Sequence, residues 1–131
     1  ITFHQVTSSE KWGGMLSYLQ ADDRQSWRVN RTGTAINKIE VPYRSLNDIL
    51  EACDLEPIDF ITIDVEGGEL DVLKGFDINK YNPRVIVVEN NNRHEHNRIE
   101  EYLKSFDFHL RFSAGCNDFY LKQGDKGVLV E

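Results

Sequence analysis

Residues 1–7, ITFHQVT, alternate apolar and polar positions, with Ile1, Phe3 and Val6 marking a strand. Residues 8–33 are polar with scattered aromatics, Trp12 and Trp27 among them, and hold no sustained period. They read as loop with a short helix and a strand near Trp27 to Asn30. Residues 34–45 read as extended, ending near Pro42. Leu46, Ile49, Leu50 and Cys53 then fall at helical spacing, with Ser45 as the N-cap and Asp48 in the first turn. Residues 58–64, IDFITID, carry few polar breaks, which suits a strand covered on both faces. Gly67 and Gly68 make a turn, and Leu70, Leu73 and Phe76 predict a short helix closed by Lys74 and Gly75. PRVIVVEN (83–90) repeats the apolar run. Asn92-x-x-Glu95 looks like a helix start, and Ile99, Tyr102, Leu103 and Phe106 supply that helix's apolar face. FHLRF and DFYLK flank the turn-rich SAGCN and predict a hairpin.

Strands alternating with helices predict an α/β fold with a mostly parallel sheet, closed by a C-terminal antiparallel β-hairpin. The 131 residues suit one domain, 1–131. No internal repeat, low-complexity tract or linker interrupts them.

Composition narrows the function. The net charge of −7, with no basic run, argues against nucleic acid as a partner. No apolar stretch is long enough to span a membrane, and no signal-peptide pattern stands at the start. Cys53 and Cys116 form no CxxC and are expected as reduced, buried thiols, which fits a reducing, cytoplasmic setting. The first residue is Ile1, and the chain reads as a segment of something longer.

The candidate chemistry lies at the strand ends. Ligands of open parallel sheets bind beyond the carboxyl ends of the strands. Here one apolar run ends in Asp64-Val65-Glu66 and the next in Glu89-Asn90-Asn91. Alternation lets Asp64 and Glu66 point to one side, and Glu89 lies close if the two strands are neighbours. Buried carboxylates need a partner, so a metal ion, a cationic ligand or a protonated intermediate would satisfy them. Structural explanations stand beside this one: Glu66 as a helix cap, and Glu89 paired with Arg84 or Arg93. His94 and His96 diverge on a helix and read as solvent-facing, while His4 and His109 read as structural strand residues.

PIDFITIDVEGGELDVLKGF resembles the signature of the FkbM-type methyltransferase family, an Ile-Asp-x-Glu-Gly-x-Glu-x-x-x-Leu-x-Gly pattern that ends a strand and opens a helix. EVPYRSLNDIL resembles that family's lead-in, and NPRVIVVEN its next strand. The likeness spans residues 34–122 and is densest over 57–90. It implies an S-adenosylmethionine-dependent methyltransferase on a Rossmann-like sheet, acting on hydroxyl groups of sugars, polyketides or similar small molecules. Residues 58–64 would be the fourth sheet strand, 84–89 the fifth, the hairpin the sixth and seventh, and ITFHQV the third. The first strands and the glycine-rich loop of the family's cofactor site have no counterpart here. The chain therefore corresponds to the C-terminal two thirds of a methyltransferase domain, and by itself it is expected to be inactive, with negligible cofactor affinity.

By that likeness Asp64 is the first candidate for the base that takes the acceptor's proton, or for a metal ligand. Glu66 orients it or caps the helix, and Glu89 completes the catalytic set. Asn90 and Asn91 hold the acceptor. Thr7 and Ser8, with Asp64, border the cofactor. Two other classes remain open from the residues alone. One is a metal-dependent hydrolase or nuclease using Asp64, Glu66 and Glu89. The other is a non-catalytic assembly module that associates with itself through an exposed sheet edge.

Overall fold

A computed structural model of the chain describes residues 1–7, 35–53, 55, 57–90 and 93–124. Asn92, Trp12, Trp27 and the expected elements of residues 8–33 lie outside the described residues. The chain divides into two compact units, Ile1–Arg44 with Val65–Gly68, and Ser45–Asp64 with Glu69–Glu131.

In the first unit, strand β1 (Thr2–Thr7) pairs antiparallel with strand β2 (Ala35–Glu40), from Thr2 opposite Glu40 to Thr7 opposite Ala35. ITFHQV was expected as the third strand of the main sheet. It belongs instead to a two-stranded sheet of its own. The reason lies in its composition. A strand inside a parallel sheet is apolar on both faces. Here Thr2, His4 and Gln5 face partners such as Glu40, Lys38 and Asn37, and every position of β2 is exposed.

The second unit is mixed α/β. Helix α1 (Leu46–Cys53) leads to strand β3 (Phe60–Ile63), helix α2 (Glu69–Lys74), helix α3 (Ile78–Tyr81), strand β4 (Val85–Glu89), helix α4 (Arg93–Lys104), and strands β5 (Phe108–Ala114) and β6 (Asn117–Lys122). The four strands lie in the order β3-β4-β6-β5. Only β3 and β4 run parallel; β6 is antiparallel to both β4 and β5. The sheet is thus mixed, not mostly parallel. The chain passes through α4 to the outer position β5, then turns back at Gly115-Cys116 and lays β6 against β4. A two-residue connection permits only antiparallel neighbours. Gly115 has φ 62, the sign that a type II′ turn needs at its first central position.

β4 is the central strand, and its composition explains the position. Val85, Ile86, Val87 and Val88 are all buried although they alternate faces. Ile86 and Val88 share one face with Ile63, Tyr120 and Phe108. α2, α3 and α4 cover that face through Leu70, Leu73, Ile78, Tyr81, Ile99 and Leu103, with Phe76 from the α2–α3 junction. On the opposite face Val85, Val87 and Leu121 make a smaller cluster with Phe119. β3 does not share β4's two-sided burial: Phe60, level with Val85, is 54% exposed. Among the described residues β4 is the one strand paired with β3, which stands at the edge of the described sheet.

Local signals fix the helix ends. Ser45 Oγ accepts from Asp48 N at 3.1 Å, and Asp48 Oδ2 accepts from Ser45 N at 3.1 Å, a reciprocal cap for α1. Asn47 ties this helix start to the α2–α3 junction: its N–H donates to Gly75 O at 2.9 Å, and its Oδ1 accepts from Asp77 N at 2.7 Å. Asp77 in turn caps α3, accepting from Lys80 N at 3.0 Å. Gly75 closes α2 as expected, donating to the carbonyls of Asp71 and Val72. No helix among the described residues is long and apolar enough to cross a membrane.

Candidate active site

Two parallel strands set the acids in place. β3 and β4 pair from Phe60 opposite Val85 to Ile63 opposite Val88. The next step along each strand brings Asp64 level with Glu89, on the face shared by Thr62 and Val87. Asp64 is exposed and Glu89 half-buried, and oxygens of the two carboxylates lie within 4.8 Å of each other. Glu66, half-buried, lies in the β3–α2 loop, which belongs to the first unit. That loop turns sharply: Glu66 has φ 55, Gly67 φ 98 and Gly68 φ 120. Glycine adopts such angles freely, whereas Glu66 does so at a cost of about 1 kcal/mol. Asp64 and Glu89 are brought together at one rim of the second unit. Oxygens at this spacing can hold a hard cation, and exposed acids also gather without one.

Asn90 follows Glu89 directly, and its N–H donates to Cys116 O, which fixes the end of β4 to the hairpin turn. Thr7 ends β1 in the first unit, where its hydroxyl donates to Ala35 O at 3.3 Å. Ser8 and Asn91 lie outside the described residues.

Three further groups escaped the sequence reading. Glu69, the first residue of α2, is 4% exposed. It is the last acid of the Asp64-x-Glu66-Gly-x-Glu69 pattern, so the signal was present but unassigned. Asn117 stands opposite Glu89 across the β4–β6 ladder. On the other face of the sheet, Asp118 is 1% exposed and accepts from Ser113 Oγ. His96 Nδ1 lies 2.6 Å from Asp118 Oδ2. His96 Nε2 lies 3.6 Å from Glu100, whose carboxylate is held by Lys104 Nζ at 2.7 Å. The bond from Lys104 is the main reason that the Glu100 carboxyl stays below the usual carboxylate range. Burial pushes the Tyr120 phenol well up, and the neighbouring Asp118 charge adds to the shift. His96 is thus not the solvent-facing residue its place near a helix start implied. Cys53 and Cys116, expected to be buried, are both exposed. They fall at a helix end and at a turn, where no core covers them.

A mixed α/β protein with acids collected beyond parallel strand ends is the class these observations define. Residues 1–110 match the family described as Methyltransferase FkbM domain. The chain belongs to that family, one of methyltransferases, for which S-adenosylmethionine is the general cofactor. The match begins earlier than the expected likeness and stops at residue 110, so most of β5 and all of β6 lie beyond it. No curated protein and no solved structure matches the chain.

Proposed function

We propose that this chain is part of one Rossmann-like domain that transfers a methyl group from S-adenosylmethionine to a hydroxyl of a small molecule. The family match over residues 1–110 carries the reading. The acid rim of β3 and β4 supports its location. The donor set fits the cofactor's charge, since a sulfonium and an ammonium both favour neighbouring carboxylates. When bound, the cofactor supplies the electrophilic methyl group.

The residues of the rim have three tasks. Asp64, exposed at the end of β3, accepts the proton of the acceptor hydroxyl as the oxygen becomes a nucleophile. Glu66 orients that exchange from the loop. Glu89 and Asn90, anchored by the central strand and by the bond to Cys116 O, hold the acceptor in line.

Labelled S-adenosylmethionine incubated with the full-length protein and a panel of monosaccharides, glycerol and linear alcohols tests this reading. Transfer of label to a hydroxyl, lost in Asp64→Asn, is the expected result. Label found on nitrogen or sulfur instead, or undiminished transfer by Asp64→Asn, refutes the O-methylation and the base respectively.

A further inference from the structure

The candidate rim is wider than the acids that define it. β6 runs antiparallel to β4 with Glu89 opposite Asn117, and directly opposed residues of an antiparallel pair project from the same face. Asp64, Glu89 and Asn117 therefore form a row across three adjacent strands, β3, β4 and β6, at one end of the sheet. Neighbouring strands lie about 4.8 Å apart, so the row is about 10 Å long, enough to meet more than one polar group of an acceptor.

Strand propensity does not explain an asparagine here. Asn is depleted in strands, and Asn117 occupies the first ladder position of β6, paired with both Glu89 and Ala114. Its side chain is half-buried, yet among the described residues its one hydrogen-bond partner is the sulfur of Cys116 at 3.9 Å, a weak acceptor at the limit of reach. The backbone beneath it is held firmly: β4 and β5 flank it, and Cys116 O accepts from Asn90 N. A fixed amide thus continues a row of carboxylates and adds the donor that carboxylates lack. A hydroxyl held between Glu89 and Asn117 can donate to the acid and accept from the amide.

We infer that Asn117 positions the acceptor, its amide extending the Asp64–Glu89 row by one strand. This rests on the methyltransferase reading above and goes beyond the family match, which ends before β6. Asn117 moves no proton. Its contribution is to binding, so it acts on KM and leaves kcat nearly unchanged.

The test compares wild type, Asn117→Ala and Asn117→Thr in the labelled-methyl assay with the full-length protein and the same panel. Threonine suits a strand and removes the amide. Expected is a rise of about tenfold in acceptor KM in both variants, the worth of one hydrogen bond, with kcat and thermal midpoint nearly unchanged. If wild type transfers methyl and both variants keep its KM, Asn117 has no positioning role, while the methyltransferase reading stands. If both variants lose the fold, Asn117 is structural and the inference fails. If wild type methylates nothing in the panel, the functional reading falls and takes the inference with it.

Discussion

The contact between His96 and Asp118 predicts an unequal response to losing either partner. Asp118 is the buried member, with a side chain 2% exposed, whereas that of His96 is 20% exposed. Removing His96 strands a carboxylate inside the sheet–helix layer, with Ser113 left as its hydrogen-bond donor. Leaving a buried charge unpaired costs about 3 kcal/mol at the low end of its range, and the partial exposure of His96 favours that end. Asp118→Asn strands nothing. Its side-chain oxygen still accepts from Ser113, and His96 is partly open to solvent, so the cost is about 1 kcal/mol. Glu100 keeps its closer partner, Lys104, in either variant.

Urea unfolding at neutral pH reads these costs directly. With a slope of about 1.5 kcal/mol per molar, His96→Ala lowers the midpoint by about 2 M and Asp118→Asn by about 0.7 M. The double variant removes the stranded charge, so it costs about 2 kcal/mol, less than the sum of the singles. Two results would refute the reasoning. One is an Asp118→Asn variant at least as damaging as His96→Ala. The other is simple additivity, which would mean that the two side chains do not sense each other.

Other expectations follow from single features. Asp64→Ala in the full-length protein is expected to lower kcat by about a hundredfold or more while leaving the thermal midpoint unchanged, because the side chain is exposed and supports no core. Ser45→Ala removes the reciprocal cap of α1 and is expected to cost about 1 kcal/mol in urea unfolding. The raised folded-state pKa of Tyr120 gives a sign for alkaline pH. The unfolded phenol ionises near pH 10, so stability is intact below that point and falls as pH rises above it. Phenolate absorbance from this residue should appear only as the fold is lost. Tyr120→Phe should remove part of that alkaline loss at little cost near neutrality, since the buried hydroxyl makes no well-formed hydrogen bond among the described residues.

Some of this architecture was readable in the chain, for reasons that differ by element. β4 declared itself because Val85 to Val88 are apolar on both faces, which only a central strand requires. The start of α1 was legible because capping is local chemistry between Ser45 and Asp48. The partner of β1 was not legible, because alternation tells which face a residue takes and says nothing about which strand it meets. α3 went unseen because four residues are too few to show a helical period. The His96–Asp118 contact was invisible for a topological reason. It exists only because β6, and not β5, lies beside β4 and so brings Asp118 level with Val88.

That insertion also explains how acids can stand at a fixed rim. Glu89 is the last residue of a strand whose four preceding side chains are locked in the core, so its backbone is placed by burial that it does not share. Asp64 inherits the same level because β3 pairs with β4 step for step up to Ile63 opposite Val88. Only after that last pair does the chain leave the ladder, through Glu66, Gly67 and Gly68 with positive φ. A carboxylate placed one step earlier in β3 would replace Ile63 in the core, and one placed further on would lie in the loop, released from the ladder. The position just beyond the last apolar pair holds an acid by rigid backbone while leaving its oxygens open to a ligand. This accounts for the handover from strand to helix occurring at Asp64 and Glu66.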